Sequence, residues 1–168
     1  MIQVAQPTTT EQLDAVRALM RAFVAWHRER HVDDLHLIDA YFDAAAFEAE
    51  LAGLPGKYAP PRGGLLLATV DGRPAGCVAL REIDADDCEM KRMFVYPDLH
   101  GHGVGRALGE AIIGAARGAW YRRMLLDTSF RQAEAQGLYG RLGFKRIEPY
   151  YELPDDLREW LVFMEMRL

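Results

Sequence analysis

Between His100 and Arg106 the sequence reads His-Gly-His-Gly-Val-Gly-Arg, with glycines at alternate positions where an apolar strand pattern gives way to a helical one. Alternate glycines let the backbone curl so that successive N–H groups point inward, and the helix behind adds the positive end of its dipole. A turn of this kind cradles a phosphate or pyrophosphate. Arg106 falls in the first helical turn, where a cation opposes the helix dipole but can add a charge-assisted bond to a phosphate. Spacing excludes the other glycine loops. A G-x-G-x-x-G run starting at Gly103 needs glycine where Leu108 stands, and the P-loop needs a Lys-Ser/Thr pair that is missing. The bland alternative is a tight strand-to-helix connection that binds nothing.

Other chemistry has weaker support. His27 and His31 are spaced i, i+4 and are followed by Asp33, Asp34 and His36, but no third ligand stands at a recognised metal spacing. The pair reads as exposed helical surface, and no metal is expected. Ser129 is the only serine and has no Gly-x-Ser-x-Gly around it. Cys77 and Cys88 have no Cys-x-x-Cys spacing and no recognisable histidine partner, so they read as reduced structural thiols. Covalent acyl-enzyme chemistry is not indicated.

The elements that must position these residues follow from periodicity and breakers. A strand over Ile2–Ala5 precedes a helix capped by Thr8, Thr9 or Thr10, with Leu13, Val16, Leu19, Met20, Phe23 and Val24 at helical spacing. A second helix is predicted from about Ile38 to Leu51, then a loop from Gly53 to Gly64. Strands over 65–70 and 76–83 flank Asp71-Gly72, a tight-turn pair, and a third runs over 88–96 to Pro97. A helix over 103–124, a strand over 124–127, a helix over 132–142 and strands over 144–147 and 161–167 complete the order. That order predicts a mixed α/β sheet with helices on both faces. With no repeat or linker, residues 1–168 read as one domain.

Composition narrows the class. Half of the 168 residues are hydrophobic and 27% are charged, which fits neither a disordered segment nor a membrane protein. No apolar run approaches the roughly 20 residues a bilayer needs, and the N-terminus lacks a secretory pattern, so the expected location is cytoplasmic. The net charge of −5 argues against nucleic acid as an obligate partner.

The stretch His100-Gly101-His102-Gly103-Val104-Gly105 resembles motif A of the GCN5-related N-acetyltransferases, Arg/Gln-x-x-Gly-x-Gly/Ala, with His100 replacing the usual Arg or Gln. Leu138-Tyr139-Gly140-Arg141-Leu142-Gly143-Phe144 is similar to the family's Tyr-x-x-Leu-Gly-Phe signature, and Glu89 to Val95 to its central strand. The resemblance covers nearly the whole chain, most sharply from Glu89 to Phe144. It implies an α/β (α+β) fold with a mostly antiparallel central sheet of about seven strands and a V-shaped opening between the strands ending at Val95 and Asp127. The implied co-substrate is acetyl-coenzyme A, held by Met93, Phe94, Val95, the residues His100 to Arg106 (His100, Gly101, His102, Gly103, Val104, Gly105 and Arg106), and Gln132 at the position of a family asparagine. The implied reaction is direct acetyl transfer to an amine, with Tyr139 as general acid and Glu89 as candidate base. Trp26, His27, Arg30, Tyr41 and Tyr150 are expected around the acceptor. Three other outcomes stay open at this stage: a non-catalytic coenzyme A sensor, a different acyl chain or an oxygen acceptor, and a homodimer.

Overall fold

The computed structural model describes residues 1–168. Seven strands, β1 (Ile2–Ala5), β2 (Gly64–Val70), β3 (Arg73–Glu82), β4 (Asp87–Val95), β5 (Arg123–Ser129), β6 (Lys145–Ile147) and β7 (Leu161–Arg167), form one sheet in the order β1-β2-β3-β4-β5-β7-β6. Every neighbouring pair is antiparallel except β4 and β5, which run parallel. The mostly antiparallel seven-stranded sheet expected from the sequence is therefore what forms. The Asp71-Gly72 turn takes positive φ at both residues, 49° and 81°, as a two-residue hairpin between right-twisted strands demands.

Helices cover both faces. On one side lie α1 (Thr10–Arg30), α2 (Leu35–Tyr41), α3 (Ala44–Ala52) and α6 (Asp155–Trp160), packed through Val16, Leu19, Ile38, Leu51 and Trp160. On the other lie α4 (Val104–Gly118) and α5 (Ala133–Leu142), packed through Leu108, Ile112 and Tyr139. Thr9 caps α1 in a reciprocal capping box with Gln12.

Three expectations about the helices are corrected. The helix predicted over 38–51 is two helices, because Asp43 accepts the Ala46 N–H at 2.9 Å and so starts a new one. The helix predicted to reach Met124 stops at Gly118, and Trp120, at φ 67°, turns the chain into β5. The six-residue α6 was not foreseen; it follows Pro154 and runs directly into β7, too short for a periodic signal.

Candidate active site

Strands β4 and β5 are paired only where Asp87, Cys88 and Glu89 face Arg123, Met124 and Leu125. Beyond Glu89, β4 continues along β3 and β5 continues along β7, so the two part and leave facing backbone edges. A bulge lies at the parting. The β3–β4 register passes from Ala79 opposite Lys91 to Cys77 opposite Phe94, so Arg92 and Met93 share the place of one residue, and Arg92 is left-handed at φ 59°.

The opening leads into a cleft of ≈ 560 Å³ whose wall includes Met93, Phe94 and Val95, the turn residues His100, Gly101, Gly103, Gly105 and Arg106, and Gln132. Nine of the eleven residues expected around the cofactor therefore lie together. Val104 instead buries its side chain under the sheet, and His102 turns outward to hydrogen-bond the His100 carbonyl at 3.0 Å. Gly101 and Gly103 have φ of 80° and 86°, which other residues rarely adopt. Gly103 begins α4, and the N–H groups of Val104, Gly105 and Arg106 have no carbonyl to meet within the helix. A Cβ at Gly105 would stand 3.2 Å from Leu138, so this glycine also sets the approach of α4 to α5. The His100 ring donates to the Val95 carbonyl at 2.9 Å, and Arg106, exposed, pairs with Glu110 at 2.7 Å.

A smaller cavity of ≈ 50 Å³ shares Phe23 and Met93 with the cleft and is lined by Tyr139, Asp127, Lys91 and Tyr41. Tyr139 is 6% exposed, packs against Phe144, and makes no hydrogen bond to the protein through its hydroxyl. Burial, and after it the Asp127 charge, push its phenol above the ordinary tyrosine value, so it holds its proton at neutral pH.

Glu89, the expected base, is 1% exposed and lines neither cavity. Arg81 donates to it at 2.7 Å, the Tyr150 hydroxyl also donates to it, and Lys91 lies 3.7 Å away. Burial disfavours its charge, but Lys91, Tyr150 and Arg81 together hold its carboxyl below the usual range. Asp127 is the carboxylate beside Tyr139. It accepts the hydroxyls of Tyr41 and, at 2.5 Å, Tyr151, and Lys91 donates to Tyr41 at 3.1 Å. Sequence reading missed Asp127, which closes an apolar strand run and gains its surroundings only from distant tyrosines.

His27 is a second correction. It is 3% exposed, and the Gln132 amide donates to its ring. Burial, with the nearby charges of His31 and Arg30, brings its pKa down to about 4, so the ring is a neutral acceptor. Gln132, expected to hold a cofactor arm, thus has one amide contact fixed within the protein. Burial pushes the Cys77 and Cys88 thiols up to about 12, which removes both as nucleophiles.

A family model described as an acetyltransferase (GNAT) domain matches residues 61–146, from before β2 into β6. An uncharacterised N-acetyltransferase of Schizosaccharomyces pombe is 40% identical over 107 residues, 62% of this chain and 66% of that protein. The N-acetylaspartate synthetase of Danio rerio is 31% identical over 78% of this chain, which spans about half, 48%, of that protein's length. Among solved structures, an N-acetyltransferase of Thermoplasma acidophilum in complex with coenzyme A superposes with a TM-score of 0.76 at 15% identity, covering 100% of this chain and 99% of the other. An acetyltransferase of Streptococcus agalactiae gives 0.72 at 22% identity, covering 99% and 98%. At these identities the two structures establish the fold. No helix of the chain is long and apolar enough to cross a membrane.

Proposed function

The chain belongs to the GNAT acetyltransferase family, and from that premise we propose that residues 1–168 act as one N-acetyltransferase domain that moves an acetyl group from acetyl-coenzyme A to a primary amine. The observation that carries this reading is the coincidence, on one cleft, of a strand edge released from its neighbour and a helix N-terminus entered through left-handed glycines. An amide-bearing chain such as pantetheine can add to a free strand edge through main-chain hydrogen bonds, and a pyrophosphate suits unpaired helical N–H groups. The residues present therefore fit the group.

Bound acetyl-coenzyme A supplies an activated thioester. The chain's own residues do the rest. Backbone N–H groups of β4 near Phe94 stabilise charge developing on the carbonyl oxygen. Asp127 receives the amine and takes up the proton its nitrogen loses on bonding to the acetyl carbon. Tyr139 gives its phenolic proton to the sulfur as the C–S bond breaks. Glu89 orients Tyr150 and Lys91 rather than acting on the amine, because it is 1% exposed and ion-paired with Arg81, whereas Asp127 is only half-buried and lines the cavity at Tyr139.

Calorimetric titration with acetyl-coenzyme A, coenzyme A and ATP tests the cleft. Micromolar binding of the first two and none of ATP is expected, weakened by roughly a hundredfold in Gly103→Val, where a β-branched residue would have to adopt a left-handed φ. Undetectable binding to the unmodified chain would remove the reading.

A further inference from the structure

The small cavity between β4 and β5 already contains a primary amine, and it is the chain's own. Of the lysines in the sequence, Lys57, Lys91 and Lys145, Lys91 alone lines that cavity, beside Asp127, Tyr139 and Met93. Lys57 pairs with Glu50, Lys145 stands exposed on β6, and the N-terminal amine pairs with Asp71. The β4 bulge sets where Lys91 stands. Ala79 faces Lys91 and Cys77 faces Phe94, so three residues of β4 advance over two of β3, a distance of about 7 Å. Residues two steps apart share a face of a sheet, and Lys91 and Phe94 therefore both stand on the α1–α3 side, Phe94 in the core and Lys91 against Tyr41. Regular alternation would have put the ammonium on the other face. The backbone near Phe94 is where the thioester carbonyl is placed by the transferase reading, and the flexible four-carbon stem of a lysine spans a distance of that order.

Lys91 is loosely held for a largely buried cation. Its one hydrogen bond in the protein goes to the Tyr41 hydroxyl, at 3.1 Å. Glu89, at 3.7 Å, is beyond hydrogen-bond distance and is already bound by Arg81 and Tyr150. An ammonium carries three donors, so two are left without a protein acceptor. The bond that Lys91 does make leads to the base: its Nζ donates to the Tyr41 hydroxyl, which in turn donates to Asp127. A shift along this chain carries a proton from the ammonium to Asp127, because Tyr41 accepts one proton as it gives up its own and stays neutral. What results is a neutral amine on the wall of the cavity that also holds Tyr139.

We infer that Lys91 is a self-acetylation site: in the absence of another amine, the chain moves the acetyl group of acetyl-coenzyme A to its own Lys91 Nζ. This rests on the transferase reading and adds a modification site to it. Nζ, neutral once Asp127 holds its first proton, bonds to the thioester carbonyl carbon, and the C–S bond breaks. The sulfur takes the Tyr139 proton, and the second proton lost by Nζ restores the Tyr139 phenol. The products are N-acetylated Lys91, coenzyme A and one proton, which Asp127 releases to solvent. The acetylated side chain has lost its charge and stands where an added amine would bind, in a cavity of only ≈ 50 Å³, so the modified chain is closed to other acceptors.

The test incubates the chain with acetyl-coenzyme A carrying a deuterium-labelled acetyl group, without an acceptor and over a range of protein concentrations, and follows its lysines by peptide mass spectrometry. Lys91 should take up label at a first-order rate that does not change with protein concentration. That rate should be at least about tenfold above those of the exposed Lys57 and Lys145, which report uncatalysed acetylation. Tyr139→Phe should slow labelling of Lys91 by about 10²-fold and leave Lys57 and Lys145 as they were. A Lys91 that stays unlabelled, that gains label no faster than the two exposed lysines, or that is labelled equally fast in Tyr139→Phe overturns the inference. A panel of added amines, propylamine and phenethylamine among them, separates that failure from failure of the transferase reading. Turnover of any of them with Lys91 unlabelled leaves the transferase reading standing, and no acetyl on Lys91 or on any amine removes both. Turnover of an added amine should also fall at least about tenfold as Lys91 fills with label; undiminished turnover at full labelling overturns the closure of the site.

Discussion

On the α4–α5 side of the β4–β5 opening, half of the residues lining the cleft come from one run between Met93 and Arg106, which offers the free strand edge and the unpaired N–H groups at the start of α4. On the α1–α3 side the site is made of side chains from distant segments: Tyr41, Lys91 and Asp127 line the small cavity, and Glu89, Tyr150 and Tyr151 stand behind them, all joined by hydroxyl-carboxylate and ammonium contacts. The first side presents generic donors that suit one unchanging ligand. The second presents a particular arrangement of charge and aromatic wall that changes with any of its members. A fold that keeps one co-substrate while changing acceptors has reason to divide its construction this way, since backbone geometry tolerates side-chain substitution and a side-chain network does not.

The largest effect that would break this division is at Tyr139, which stands where the two sides meet. Tyr139→Phe keeps the ring packed on Phe144 and deletes a hydroxyl that has no protein partner. A fall in kcat of about 10²–10³-fold is expected, with acetyl-coenzyme A affinity and Tm unchanged. A parallel loss of Tm would mean that the phenol serves packing instead.

Next in size is the contrast between the two carboxylates. Glu89→Gln removes the buried charge that Arg81 and Lys91 share, and a loss of roughly 3–5 kcal/mol of stability is expected in chemical denaturation. Asp127→Asn should instead lower kcat/KM for the amine by about 10²-fold while costing less stability, because the amide oxygen can still accept from one of the two tyrosine hydroxyls and the amide NH2 can donate to the oxygen of the other. The reverse pattern would return the role of base to Glu89.

Legibility followed the same division. Gly101, Gly103 and Gly105 could be read because the demand on them is local: a left-handed φ or a close helix approach leaves a glycine at a fixed place in the chain. Strand pairing around Asp71-Gly72 was readable for the same reason. Asp127 was not, since its two tyrosine partners lie 86 and 24 residues away and no spacing rule joins them. His27 misled because an i, i+4 histidine pair looks the same on a solvent face as under Phe42 and Gln132, and only the tertiary neighbours decide. The break between α2 and α3 rests on a single capping carboxylate, Asp43, inside an otherwise continuous helical pattern.

The smallest expected effect concerns His27, where the two sides touch through Gln132. Its folded pKa is about 4, below its ordinary 6.5, because burial penalises the imidazolium. The unfolded chain therefore binds a proton that the folded chain refuses. Stability is full above pH 6.5, falls as the pH drops toward 4, and levels off below. The pKa difference corresponds to about 3 kcal/mol across that window. His31 shifts in the same direction, so the informative quantity is a difference between proteins. His27→Gln, which retains an acceptor for the Gln132 amide, should flatten the stability curve between pH 6.5 and 4 relative to the parent. If the two curves stay parallel, the histidine is protonated in the fold. The Gln132 amide would then have to face it through its oxygen, freeing its NH2 for the cleft and restoring to Gln132 the cofactor contact expected of that position.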